Sequence, residues 1–284
     1  MSLHRFSAFS FVDRISSIDK YGHISGFFRI PRHLDIFPQS LVAEAIGQLA
    51  AWYAMSTFNF SSRPVAALAG EIKYHSEVSP GERLNLFATI ESCNNDSVIY
   101  SGVARAGKRL VLELVDCTGA MLPQEEFDDA NIVEEQYNLL ETSGAKENRL
   151  AVAPYILGKD LHSDDMGTHE GQLIIPDQAD FFSDHFPNKP VFPATLLIYA
   201  LTSMVVKQMN NIASQHGHQK INISAIRRVK VRSWITPGSR ISLRAVSLST
   251  DRTPKQLKLT ANLGNKLVTS ALLELAVVGA LNSK

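Results

Sequence analysis

Three short segments of this 284-residue chain recur later in it, in the same order and at a nearly constant offset. Phe37-Pro-Gln-Ser-Leu-Val-Ala-Glu-Ala is answered 155 positions on by Phe192-Pro-Ala-Thr-Leu-Leu-Ile-Tyr-Ala. Val78-Ser-Pro-Gly-Glu-Arg-Leu is answered 157 on by Ile235-Thr-Pro-Gly-Ser-Arg-Ile, and Leu110-Val-Leu-Glu-Leu, again 157 on, by Leu267-Val-Thr-Ser-Ala. One such match is unremarkable. Three in register imply an internal duplication, and a duplicated chain folds as two copies of one plan. The length suits two domains of ordinary size.

Each half repeats the same order of patterns. A short β pattern comes first, at Phe9–Ile18 and Gly171–Ile175. An almost wholly apolar helix follows (Leu41–Met55 and Val191–Val206), with Ser40 or Thr195 as N-cap. A helix that is apolar all round has to be enclosed. Alternating runs come next; in the second half they are Ile226–Ile235, Ile241–Leu248, Gln256–Leu263 and Lys266–Val278, broken at Pro237-Gly238 and Gly264-Asn265. Alternation punctuated by such turns reads as an antiparallel sheet of hairpins. The expectation is an α+β fold of two sheets, each wrapped around one buried helix: residues 1–122, an acidic linker 123–150, and residues 151–284. The linker carries a weak helical pattern through Ile132, Val133, Tyr137 and Leu140. Its length suits a crossover between domains packed side by side, as a homodimer's chains would be.

Bulk charge excludes some functions. Basic and acidic residues balance at 28 each, which disfavours nucleic acid as the main partner. The balance conceals an asymmetry of −6 in residues 1–150 and +6 in residues 151–284. Cys93 and Cys117 form no disulfide framework, and the N-terminus lacks a charged and then apolar leader, so a cytoplasmic protein is expected. Both apolar runs fall short of the ~20 residues of a membrane helix, so no membrane span is expected. His216 and His218 stand in a polar loop without acidic neighbours and read as solvated; no metal site is expected.

The segment Ala179-Asp-Phe-Phe-Ser-Asp-His-Phe-Pro-Asn-Lys-Pro-Val-Phe-Pro-Ala-Thr-Leu-Leu resembles the active-site segment of bacterial 3-hydroxyacyl-acyl carrier protein dehydratases. Ile226-Arg-Arg-Val-Lys-Val-Arg-Ser-Trp-Ile-Thr-Pro-Gly resembles the strand and turn that follow it, so the likeness spans about residues 172–240. In the first half Leu41–Gln48 resembles the same motif's helix. The resemblance implies the hot-dog fold, here as a tandem double hot-dog. In that family a catalytic His precedes a carboxylate by 14 positions, and the site draws one from each subunit of a dimer. Fourteen after His185 stands Tyr199; its counterpart in the first half is Glu44, and fourteen before that stands Ile30. One half keeps the base, the other keeps the acid. The losses are complementary, so His185 and Glu44 are expected to complete one composite site per chain, with Ile30 and Tyr199 filling a dead one. His33, eleven before Glu44, is a minor candidate for that second site.

By the same resemblance Ala194, Val191, Phe186 and Pro193 surround the substrate. Ala194 stands where the family has Gly and offers its N–H to the thioester oxygen, while the Val191 carbonyl orients the imidazole. Dehydration needs a base for the C2 proton, which His supplies near neutral pH, and an acid for the C3 hydroxyl, which a buried Glu supplies if desolvation keeps it protonated. No cofactor is implied, since the acyl chain arrives on the phosphopantetheine of acyl carrier protein or CoA. The basic run Arg227, Arg228, Lys230 and Arg232 is the candidate docking patch for an acidic carrier protein. The pathway implied is fatty-acid or polyketide-type assembly. Two rivals stand beside the dehydratase: a hot-dog thioesterase, and a catalytically silent acyl-thioester binder or scaffold. Any further homo-oligomer would pair whole chains.

Overall fold

The alternating runs form strands and the apolar runs form helices in the computed structural model, which describes residues 5–146, 162–163, 167–215, 221–249 and 255–277. In chain order the first half contains β1 (Arg14–Ile18), β2 (His23–Arg29), α1 (Gln39–Thr57), β3 (Ser62–Tyr74), β4 (Arg83–Cys93), β5 (Ser97–Ala106) and β6 (Arg109–Pro123). The crossover contains α2 (Ala130–Thr142). The second half contains β7 (His162–Ser163), β8 (Thr168–Ile174), α3 (Ala194–Gln215), β9 (Ile221–Val231), β10 (Arg240–Ser247), β11 (Gln256–Leu263) and β12 (Lys266–Val277). Period-2 burial accounts for the strands: Leu84, Leu86, Ala88 and Ile90 face inward along β4, as do Ile241, Leu243 and Ala245 along β10.

The described strands form one antiparallel sheet in the order β1-β2-β4-β5-β6-β3-β9-β12-β11-β10-β8-β7. The order follows the same plan from either end, and the halves meet where β3 pairs with β9. There Glu71 lies opposite Arg227. These positions are 156 apart, between the offsets of 155 and 157 that relate the repeats, so the pseudo-two-fold axis passes through this pair. Two identical chains would set like against like at such an axis. Here a guanidinium nitrogen lies 2.8 Å from a carboxylate oxygen instead.

α1 packs on β2 to β6, α3 packs on β8 to β11, and the two helices pack on each other. Leu41, Val42, Ala45, Ile46, Leu49, Ala50 and Ala54 of α1 are all buried, as are Leu196, Leu197, Ala200, Leu201, Met204 and Val205 of α3. This is the double hot-dog arrangement, with the sheet continuous across both halves.

Several local expectations are corrected. Ser40 and Thr195 are not N-caps. Each is the second residue of its helix; α1 starts after Pro38, and the Ser40 hydroxyl is buried without a partner. The first strand begins at Arg14, and residues 5–13 form an irregular strap across the other half. β9 ends at Val231, so Arg232 lies just past it; β12 ends at Val277, with Val278 outside the described residues, as are His216 and His218. The weak helical pattern of the crossover is α2, capped by Asp129, whose carboxylate accepts from the Asn131 and Ile132 amides. Val133 and Leu140 are buried against the first half, and Tyr137 packs on Trp52 and Phe60.

The approach of α1 to the sheet depends on one residue without a side chain. A Cβ on Gly102 in β5 would collide with Cγ2 of Ile46 and stand 2.6 Å from the Phe87 carbonyl oxygen. Gly102→Val is therefore expected to destabilise the fold by about 2 kcal/mol or more, as overpacking of a close contact does. Urea unfolding checks this, and an unchanged midpoint would contradict the packing described.

Candidate active site

Glu44 lies on the second turn of α1, inside an otherwise apolar helix, and both of its oxygens are engaged. Thr195 Oγ1, from α3 of the other half, donates to Oε2 at 2.8 Å. Gln48 Nε2, one turn along α1, donates to Oε1 at 3.0 Å. Gln48 is itself held by the strap, donating to the Phe9 carbonyl at 3.1 Å and accepting from the Phe11 amide at 2.9 Å. Desolvation pushes the Glu44 carboxyl above the ordinary range, against the pull of the Thr195 and Gln48 hydrogen bonds.

His185 is in the loop before α3. Its Nδ1 lies 2.9 Å from the Val191 carbonyl oxygen, which only accepts, so Nδ1 carries the proton and Nε2 keeps its lone pair. Phe186 stacks on the imidazole at 4.1 Å between ring centroids, and Phe9 meets it edge-on at 5.4 Å. Burial pushes its pKa down to about 4; the Val191 hydrogen bond opposes this, and the Arg63 charge adds to it. Asp184, the preceding residue, accepts the amides of Phe6, Ala8 and Phe9 at 2.6 to 2.8 Å and so ties the first-half strap to the second-half loop.

One cavity of about 220 Å³ receives Glu44, His185, Phe186, Val191 and Ala194 together. Ala194 opens α3, where the first N–H groups have no partner inside the helix. From Glu44 the cavity follows α1 past Gly47, Ala51 and Met55, beside Tyr100 and Cys117 of the sheet. Pro193 is a correction. It does not line the cavity; its carbonyl accepts the Leu196 and Leu197 amides and so starts the helix. Neither Ile30 nor Tyr199 lines it; Ile30 is wholly buried in the first-half core, and His33 is exposed away from it.

The basic run falls largely on β9, with Val229 and Val231 turned toward the cavity and Arg228, Lys230 and Arg232 exposed. Arg227 differs from its neighbours because it lies 2.8 Å from Glu71 and 3.5 Å from Glu274, which neutralise it. Arg232 donates to Ser270 Oγ at 2.9 Å. Sequence reasoning missed the strap, Asp184 as its anchor, Thr195 as a partner of Glu44, and Arg63, which also lines the cavity. Among the described residues no group of three or more His, Cys, Asp or Glu side chains could hold a metal, and no helix is long and apolar enough to cross a membrane.

Opposed burial effects make the pH dependence of stability informative. The folded state holds His185 neutral while the unfolded chain protonates it, so this contribution is present above about pH 6.5 and is lost as pH falls toward 4. Glu44 acts oppositely: its raised folded pKa favours the native state at low pH, and that contribution is lost as pH rises through and above 4.5. His185→Gln should flatten the acid decline, and Glu44→Gln should steepen it, when thermal midpoints are followed from pH 4 to 8. Identical profiles for both variants would contradict the burial described.

Residues 161–270 match the ApeI-like family, described as ApeI dehydratase. Over 104 residues the chain is 29% identical to the 3-hydroxyacyl-[acyl-carrier-protein] dehydratase FabZ of Levilactobacillus brevis, covering 36% of this chain and 68% of that protein. Solved structures align along nearly the whole chain. An acyl-ACP thioesterase from Bacteroides thetaiotaomicron superposes with TM-score 0.57 at 10% identity, covering 92% of this chain and all of that one. The dehydratase domain of PpsC from Mycobacterium tuberculosis, in complex with C12:1-CoA, superposes with TM-score 0.54 at 12% identity, covering 95% and 100%. At these identities the structural matches speak for the fold, and the family match speaks for residues 161–270. The chain thus has the double hot-dog fold, and its residues 161–270 are similar to the ApeI-like dehydratase family.

Proposed function

We propose that this protein dehydrates 3-hydroxyacyl thioesters to 2-enoyl thioesters at one composite site per chain. The observation that carries the reading is the meeting of His185 and Glu44, one from each half, in a single cavity. His185 Nε2 would take the C2 proton. Glu44, its carboxyl favoured in the protonated form by burial, would give its proton to the C3 hydroxyl as the C–O bond breaks and water leaves. The C2–H electron pair becomes the new double bond. The Ala194 N–H would stabilise charge developing on the thioester oxygen.

Hydrolysis of the thioester is the second reading, favoured by the thioesterase fold likeness; there Glu44 would activate water. Crotonyl-thioester turnover separates the two, since hydration yields a 3-hydroxyacyl thioester and hydrolysis yields a free thiol. His185→Ala and Glu44→Gln should each lower kcat/KM by about 100-fold or more, as loss of a general acid or base does. The double variant should be little worse, because the two act as a unit. Full activity in the His185 variant would end the composite-site reading, whereas no turnover by the native protein would favour a silent binder.

The substrate would be carried by acyl carrier protein or CoA. Among the described residues Arg228, Lys230 and Arg232 of the docking patch make no ion pair, whereas Arg227 is a junction residue held by its ion pairs. Charge reversal at Arg228 and Lys230 should raise KM for carrier-bound substrate and spare small thioesters. Equal effects on both would remove the docking role.

A further inference from the structure

We propose that Arg63 is an anion receptor built into the wall of the shared cavity, taking a phosphate or carboxylate group carried by the substrate. The proposal rests on the reading of that cavity as an acyl-thioester site.

Arg63 is the second residue of β3 and lines the same cavity as His185 and Glu44. Its Nε is shielded from water and has no hydrogen-bond partner among the described residues. No carboxylate among the described residues pairs with it. Desolvation alone draws the guanidinium pKa down to about 10. Its Cζ lies 4.2 Å from the centroid of the Phe186 ring and 5.8 Å from that of Phe127. Phe186 in turn stacks on the His185 imidazole, so the charge stands at most two ring-stacking distances from the proposed base.

The acids around it are already committed. Asp184 accepts three strap amides, Glu126 bonds Lys189 at 2.8 Å, and Asp128 pairs with Arg5. Arg63 is half-buried, and a cation partly withdrawn from water without a counter-charge is disfavoured, with aromatic faces offsetting only part of the penalty. An arriving oxyanion supplies the missing partner, and the planar fork of a guanidinium matches phosphate or carboxylate with two parallel hydrogen bonds. Lys189, paired with Glu126, lies on the same aromatic cluster, with Nζ 5.0 Å from the Phe127 ring and 5.3 Å from Trp234. Two substrate sources share this chemistry: the phosphate of a pantetheine arm, and a carboxylate on the acyl chain.

Calorimetric binding of three unreactive thioethers to the full chain distinguishes them: S-butyl pantetheine, S-butyl phosphopantetheine and S-(3-carboxypropyl) pantetheine. One anionic probe should bind the native protein about ten-fold tighter than the neutral one, the margin of a single charge-assisted contact. The identity of that probe names the source. Arg63→Met, which keeps the packing stem, should erase that margin, leave the neutral probe's Kd unchanged and not lower the thermal midpoint. Arg63→Lys should restore part of the margin. Equal binding of all three probes by the native protein, or a uniform loss in Arg63→Met, would overturn the proposal. If no probe binds, the acyl-thioester reading of the cavity fails and the proposal falls with it. Probe binding without any dehydration would defeat the catalytic reading alone.

Discussion

Where β3 runs antiparallel to β9, from Leu68 opposite Lys230 to Lys73 opposite Ala225, two half-sheets become one and two helices are brought side by side. The backbone hydrogen bonds of that junction set the distance between α1 and α3, and hence whether Thr195 reaches Glu44. At its centre the Glu71–Arg227 pair shows what fusion allows. A homodimer repeats each residue across its axis, whereas a duplicated chain can differentiate the copies. The same freedom leaves Tyr199 where Glu44 stands in the other half.

Burial acts on the two site groups in opposite senses. A low-dielectric cavity disfavours charge of either sign, so it pushes the imidazole toward its neutral form and the carboxyl toward its protonated form. A neutral imidazole with a free lone pair and a carboxyl shifted toward its protonated form are thus products of one environment. The Val191 carbonyl selects which ring nitrogen is free, and the Thr195 and Gln48 donors keep the carboxyl oriented.

The strap joins these groups through the first half's own backbone. Asp184 grips three of its amides beside His185, and Gln48 grips Phe9 and Phe11 beside Glu44. Phe9 also lies edge-on to the imidazole. One irregular segment therefore lies against both His185 and Glu44's partner Gln48, through hydrogen bonds to residues 37 to 178 positions away.

Sequence alone determined what depends on short periods and on repetition. The alternation of Leu84, Leu86, Ala88 and Ile90, the all-round apolar character of α1 and the repeated order of elements were legible, because side-chain period and copy number are written locally. The His185 to Val191 contact was legible through its motif. What only the tertiary structure decided spans distance. Thr195, read as a cap, turns its hydroxyl to Glu44; Pro193 serves the helix and not the cavity; Arg227 is neutralised across the junction; Arg63 comes to rest on Phe186, 123 positions away. The physical reason is that a side chain's partner is chosen by where the sheet junction places it, and no periodicity in the chain encodes that meeting.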